Sequence, residues 1–579
     1  MPEKTRRSLW EKAGRWLLML VMAGAPLALG AVHTPVLLVV TGLLALACAA
    51  LWVGGEPVGP RPAASLVFFV GILLAAVTAL QLVPLPWTWL ERLAPSNADL
   101  WSRCLSPLRE TGPASVPISV DPMATRLELV KAICFVLAFL ASLRAAWSRS
   151  QASLLSLTLV GASLALAAAA VLHPLLGIDK VYGFYAPRGS IDPRHIAPLL
   201  NPNHLGAFLN VGICLAAGRA VETEDTGRRL WWTGAAVLLG ATQLWVASRG
   251  AVAAMLLGLA LIALLRRVQA GQNQLQAELV LTAGIGAAGI AMLVLAGSLE
   301  AFNELASSDI SKLDVARQGL VLVRRFPWFG VGRGAFEATF PSVAARFGYA
   351  NWTGPENLPV QWVVEWGVPV TCVGLGTLAF AFRPATALAR GTVAMGPWAA
   401  LVCSVVHDLV DFHLEISSVG VAVAVCAGLV VGGPGKEHKG AIHRWGQYPK
   451  AIALLSVLSG LVALTFGTTV VGKELVDDRK ALREAALKAT VGREAFIEQL
   501  RAAMLRHPSE PFLPYAGALR AARLREESVL PWVARTLELA PAYGRAHLLL
   551  GDELASHAPS QARLEYRLAM EQEPSLTAS

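Results

Sequence analysis

Apolar runs of about 20 residues, divided by short polar loops, recur along most of this chain and constrain it more than any other feature. A helix of that length crosses the hydrocarbon core of a bilayer. Backbone groups left unpaired in lipid are too costly, so such runs fold as helices. About thirteen spans are expected, near residues 16–33, 35–54, 64–84, 124–146, 152–175, 203–220, 230–248, 250–266, 277–298, 359–382, 392–410, 416–433 and 450–471. Only 15% of the 579 residues are charged, against roughly 25% in soluble domains, as buried spans require. The fold class expected is all-α: a polytopic helical membrane protein with a C-terminal helical-repeat domain. The domains expected are 1–471, with a large outer loop near 299–358, and 472–579.

The net charge of +9 does not point to nucleic acid, because many Lys and Arg fall in short loops between apolar runs. With the N-terminus in the cytoplasm, the inner loops hold Arg61, Arg144, Arg149, Arg219, Arg228, Arg229, Arg266, Arg267, Arg383, Arg390, Lys436, Lys439, Arg444 and Lys450. The longer loops 85–123, 176–202 and 299–358 then lie outside, which is the positive-inside pattern. The basic N-terminus and the run from Trp16 read as an uncleaved first helix rather than a signal peptide. An odd number of spans puts the C-terminal segment outside, in the periplasm of a Gram-negative cell. The seven cysteines form no CxxC pair, so neither a disulfide framework nor a zinc site is expected.

Beyond residue 472 the charges become frequent and the apolar runs stop. Pro508, Pro541 and Pro574 are spaced by 33 residues, and Gly517 and Gly551 by 34. Helix pairs at that period resemble tetratricopeptide repeats, whose concave faces bind protein segments. A generic helical bundle is the plainer reading.

The polar residues of the outer loops are where chemistry is expected. Loop 85–123 reads as an interfacial helix with Trp87, Trp89 and Trp101 near the headgroups. The second loop carries Arg188, Arg194 and His195, then Asn201-Pro202-Asn203-His204, a helix start with an Asn cap and His204 at its mouth. His204 is either an interfacial histidine or a base. Arg249, between two apolar runs, is either a snorkelling side chain at a helix end or the ligand of an anion. The large loop carries Arg317, then Arg324-Arg325-Phe326-Pro327-Trp328-Phe329-Gly330-Val331-Gly332-Arg333-Gly334. This is no dinucleotide fingerprint, because no strand precedes it and the third Gly is misplaced. A Gly-rich turn ringed by Arg does suit a phosphate near the membrane surface. Glu356-Asn357 precedes a run with Gln361 and Glu365 one turn apart, and His407-Asp408-Leu409-Val410-Asp411-Phe412-His413 closes the eleventh span. Arg side chains bind phosphate oxygens, and a carboxylate or imidazole removes a proton from a hydroxyl.

Taken in order, Pro84-Leu85-Pro86, Asn201-Pro202-Asn203-His204, Ser248-Arg249-Gly250-Ala251, Arg317 ahead of Phe326-Pro327-Trp328-Phe329-Gly330-Val331-Gly332, Glu356-Asn357 with Gln361 and Glu365-Trp366-Gly367, and His407-Asp408-Leu409-Val410-Asp411-Phe412 resemble the motifs of the O-antigen ligase family. Members with C-terminal tetratricopeptide repeats are especially similar. The resemblance covers roughly residues 15–471. It implies an inverting, metal-independent transfer of a glycan from undecaprenyl diphosphate to an acceptor, by a ligase or a polymerase, with no cofactor. It implies that Arg249 and Arg317 hold the diphosphate, with Arg188, Arg194 and Arg333 as further ligands. The family carries a catalytic histidine just before the asparagine that opens the span after the large loop. Here Thr353-Gly354-Pro355-Glu356 stands there, so Glu356, or else His204 or His407 from another helix, takes the role of base.

Two other classes of membrane protein share this general architecture. A transporter calls for ionisable residues at mid-membrane or inverted repeats, and few charges lie within these spans. A non-catalytic scaffold, recruiting polysaccharide-assembly proteins of the envelope through its repeats, is the reading that the missing histidine favours.

Overall fold

The structure is a computed structural model and describes residues 3–55, 61–186, 196–269, 312–344, 352–433, 445–488, 490–525 and 527–578. Among these residues the chain is all-α. The exceptions are the two-residue strands Leu85–Pro86 and Ser115–Val116, paired antiparallel with Leu85 opposite Val116, and one isolated bridge between Val181 and Tyr185.

The expected span near 277–298 lies outside the described residues. Each of the others falls on helix. Seven helical stretches among the described residues are long and apolar enough to cross a membrane: Thr34–Gly54, Pro62–Leu80, Arg149–Leu175, Pro202–Glu222, Arg249–Gln269, Val368–Arg390 (Val368–Ala381 followed by Pro384–Arg390) and Pro449–Leu487 (Pro449–Val470 followed by Leu475–Leu487). Thr392–His407 and Ser417–Val431 are apolar but shorter, and Pro122–Ala145 carries Arg126, Glu128, Lys131 and Arg144. The expected span 359–382 is not one helix. It is broken into Leu358–Trp366 and Val368–Ala381 at Gly367, which adopts φ +82°. A Cβ there would strike the carbonyl oxygen of Trp328, so only glycine fits. The protein is therefore a multi-pass helical membrane protein with interrupted elements.

The chain forms two compact units. The first contains Met1–Ala75, Val130–Ala301 and Val373–Gly467. Its most enclosed crossing helix is Pro202–Glu222, which packs on Arg149–Leu175, Thr226–Val246, Arg249–Gln269 and Met395–His407. Small residues permit the close approach: a Cβ at Gly212 or Gly258 would collide with Ser163 or Cys214. Asn210, buried in the same helix, donates from Nδ2 to the carbonyl of Ala251 at 2.8 Å.

The second unit contains Ala76–Leu129, Phe302–Cys372 and Thr468–Ser579. The C-terminal helices thus share a core with two loop segments rather than standing alone. Leu90, Trp101 and Val116 are buried together with Phe496, Leu513, Trp532 and Tyr543. Trp101 is 2% exposed, so it belongs to this core and not to the headgroup zone, whereas Trp89 is 63% exposed. Polar ties join the same segments. Arg479 pairs with Glu510 and Glu337, and His507 Nδ1 lies 2.8 Å from Asp121.

Among the described residues six α-helices follow residue 474: Leu475–Leu487, Arg493–Arg506, Phe512–Leu524, Leu530–Leu539, Gly544–Leu554 and Pro559–Gln572. Three of them end at Arg506, Leu539 and Gln572, each followed two residues later by Pro508, Pro541 or Pro574. Gly517 and Gly551 occupy equivalent crossings, where a Cβ would meet Trp532 and Tyr566 respectively.

Candidate functional site

In the first unit a polar cluster gathers at the start of Pro202–Glu222. Asn201 caps this helix, its Oδ1 accepting from the Asn203 backbone at 2.8 Å. Asn203 does different work: its Oδ1 accepts from Ser248 Oγ at 2.8 Å. That bond draws the first residue of Arg249–Gln269 to the same mouth. The next residue, Gly250, abuts His407, since a Cβ there would lie 2.8 Å from Nε2. His204 Nε2 lies 3.7 Å from Asp411 Oδ1, and its ring meets Phe412 edge-on with centroids 5.0 Å apart. His407 stacks obliquely on His413 at 4.7 Å. Thus His204, His407 and Arg249, separate in sequence, are brought to one place.

Asp408, Asp411 and His413 place ligand-type atoms within 4.8 Å of one another, all buried. His413 Nδ1 sits 2.7 Å from Asp408 Oδ1.

In the second unit the Gly-rich segment 329–334 is laced into its surroundings. The N–H of Val331 donates to Val364 O at 2.9 Å and that of Gly332 to Glu365 O at 3.3 Å. The N–H of Arg333 donates to Gln81 Oε1 at 3.0 Å. Gln81 Nε2 donates to both Phe329 O and Glu365 O, and Asn97 Nδ2 donates to Gly330 O. Three N–H groups of this turn, those of Val331, Gly332 and Arg333, are therefore already bonded within the protein and are not offered to a phosphate. The glycines serve packing instead. Gly330 and Gly332 have φ +68° and +107°, and Cβ atoms there would strike the Glu365 backbone and Ser119.

Arg333 is held in the same network. The side chain is 6% exposed, paired with Glu128 at 3.1 Å and with Glu365, and lies 4.6 Å over the Trp366 ring. Its charge is spent on two carboxylates, which a diphosphate would have to displace. Arg317 and Arg249 differ. Both are exposed, and neither guanidinium makes an ion pair or hydrogen bond among the described residues. Arg188 and Arg194 lie outside the described residues.

Glu356 pairs with Lys312, the first residue of the helix Lys312–Arg325 that carries Arg317. It holds φ +49°, a left-handed conformation that costs a non-glycine residue strain. Asn357 follows as the cap of Leu358–Trp366, accepting from Val360 N at 3.0 Å. Gln361, one turn on, is buried, and its Oε1 accepts no hydrogen bond among the described residues.

Sequence reasoning passed over Gln81, Asn97 and Glu128, which hold the second unit's loop. For Glu128 there was a signal, a carboxylate within an apolar run. Gln81 and Asn97 carried none, because their partners lie 21 to 284 residues away.

The O-antigen ligase family model matches residues 234–373, the stretch containing Arg249, Arg317, Arg333, Glu356, Gln361 and Glu365. No curated protein matches the chain.

Proposed function

We propose that this protein transfers a glycan from undecaprenyl diphosphate to an acceptor hydroxyl at the outer face of a bacterial inner membrane, as a ligase or polymerase. The match to the O-antigen ligase family over residues 234–373 supports glycan ligation or polymerisation as the class. The observation that carries the residue assignment is the contrast among arginines. Arg249 and Arg317 are exposed and make no ion pair among the described residues, while Arg333 is committed to Glu128 and Glu365.

In this reading Arg249 and Arg317 donate to diphosphate oxygens and stabilise the charge that grows as the glycosidic C–O bond breaks. Glu356 accepts the acceptor hydroxyl's proton while that oxygen bonds to the anomeric carbon from the opposite face, giving inversion. Undecaprenyl diphosphate leaves with the bond pair. Glu356 lies beside Lys312, and its left-handed backbone is of the kind that clusters at functional sites, which supports the assignment. His204 beside Asp411 and His407 beside Gly250 are the other groups able to serve as base. No cofactor or metal enters this scheme.

The N-terminus is assigned to the cytoplasm and the C-terminal helices to the periplasm, from the basic inner loops. Helix ends 33 residues apart support a tetratricopeptide-like domain that recruits polysaccharide-assembly proteins.

The test is glycan transfer in reconstituted membranes, with released undecaprenyl diphosphate as the readout. Wild-type, Arg249→Ala, Arg317→Ala and Glu356→Gln proteins would each receive a lipid-linked oligosaccharide and candidate acceptors. Each Arg variant should lose about 10²–10³ in rate. Wild-type turnover by Glu356→Gln removes Glu356 as base and moves the test to His204→Gln and His407→Gln. Absence of release from folded wild-type protein with any acceptor favours the scaffold reading.

A further inference from the structure

We propose that the outer face of Lys312–Arg325, with Trp328 and Phe329 beyond it, lies in the headgroup zone of the bilayer and binds anionic phospholipid there. The inference stands apart from the transfer reaction, since it concerns where the segment sits and what it touches.

The helix divides into two faces. Val315, Ala316, Gly319 and Leu322 are buried, and Val315 and Leu322 pack with Phe326, Phe336 and Val364 in the second unit's core. Arg317, Leu320, Val321 and Arg324 face outward at spacings of three, four and seven residues, one helical stripe. Leu320 and Val321 are each 48% exposed, and Trp328 beyond the helix end is 66% exposed. A helix facing water carries polar residues along its outer stripe. One that interleaves Arg with Leu, Val and Trp has the composition of an in-plane interfacial element, whose apolar side chains enter the acyl boundary while the guanidinium groups reach phosphates.

Hydrogen bonds fix the depth. The carbonyl of Pro327 accepts from the N–H of Val368 at 2.8 Å, and Val368 is the first residue of the crossing helix Val368–Arg390. The carbonyl of Phe329 accepts from Gln81 Nε2 at 2.8 Å, and Gln81 directly follows Leu80, the last residue of the crossing helix Pro62–Leu80. The tripeptide Pro327-Trp328-Phe329 is thus tied to the two residues at which crossing helices end. Trp328, projecting from that level, is held where aromatic side chains gather in membrane proteins. Arg324 supplies positive charge that anionic headgroups complement, and it is not spent on an ion pair among the described residues.

The experiment reads depth, not turnover, so its failure is distinct from failure of the transfer reading. Trp328→Cys and Leu320→Cys are made in full-length protein carrying Cys372→Ser, because the other six cysteines are buried. Each is labelled with an environment-sensitive fluorophore in nanodiscs of phosphatidylcholine and phosphatidylglycerol. Leu564→Cys, on an exposed site of Pro559–Gln572, is the reference. Nitroxides at the headgroup and at the first acyl carbons should quench labels 328 and 320 several times more strongly than aqueous iodide does, with the reverse at 564. Arg324→Glu should weaken the headgroup quenching in phosphatidylglycerol-rich discs and leave it unchanged in pure phosphatidylcholine. Free access of iodide to labels 328 and 320 overturns the proposal. Shielding from both quenchers also overturns it, in favour of a protein partner on this face.

Discussion

An arginine near a membrane surface serves whichever anion reaches it with least loss of solvation, and Arg249, Arg317 and Arg333 show both fates. Arg333 is enclosed with Glu128 and Glu365 and stacked on Trp366. Removing its guanidinium strands two buried carboxylates. Arg333→Ala should therefore cost about 3–5 kcal/mol of stability, visible as early unfolding in detergent. Arg317→Ala removes an exposed side chain and should change stability by no more than about 0.5 kcal/mol. Equal melting of the two variants would show that the buried network is not what Arg333 serves. The pattern Gly-Arg-Gly could not reveal this, because Glu128 stands 205 residues upstream of Arg333 by their numbering.

At the scale of elements, the segment 329–334 behaves as a staple. Gln81 reaches across it with both ends of its amide, and the glycines let it lie against the Glu365 backbone and Ser119. Gly332→Ala introduces a Cβ against Ser119 at φ +107°. The strained backbone alone should cost about 1–3 kcal/mol, measured as a lowered unfolding temperature of purified protein. Gly391→Ala is the control: it has φ +79° but open space around it, so it tests strain without collision. Similar losses in both would mean that the collision at 332 is relieved by movement of Ser119.

At the scale of the whole molecule, the C-terminal helices are bound to their loop partners by charge as well as by apolar contact. His507 is 1% exposed, with Asp121 at 2.8 Å, Asp478 at 3.5 Å and Arg506 paired to Asp478. Burial alone would lower its imidazole, but Asp121 and Asp478 outweigh that and raise it to about 10. The folded value lies above the unfolded one, so the stabilisation is complete below about pH 6.5 and is lost as pH rises through about 10. Thermal unfolding between neutral pH and pH 10 should therefore show a falling melting temperature, and His507→Gln should flatten that fall. An unchanged slope in the variant would assign the pH dependence to other groups.

What the sequence determined by itself follows from interactions that are local or set by the solvent. Apolar runs of span length become helices because lipid offers the backbone no other partners. Asn201 and Asn357 cap their helices through bonds two and three residues long. The 33-residue spacing of Pro508, Pro541 and Pro574 falls just past three helix ends because proline cannot continue a helix. What tertiary structure alone decided is how long-range polar partners are shared out. It spent Arg333 and left Arg317 and Arg249 exposed, bonded the N–H groups of Val331, Gly332 and Arg333 in the Gly-rich turn, broke the run 359–382 at Gly367 against Trp328, and joined His204, His407 and the start of Arg249–Gln269 at one mouth. Such choices depend on groups hundreds of residues apart meeting in a low-dielectric interior, where an unmet charge or donor is costly enough to dictate the pairing.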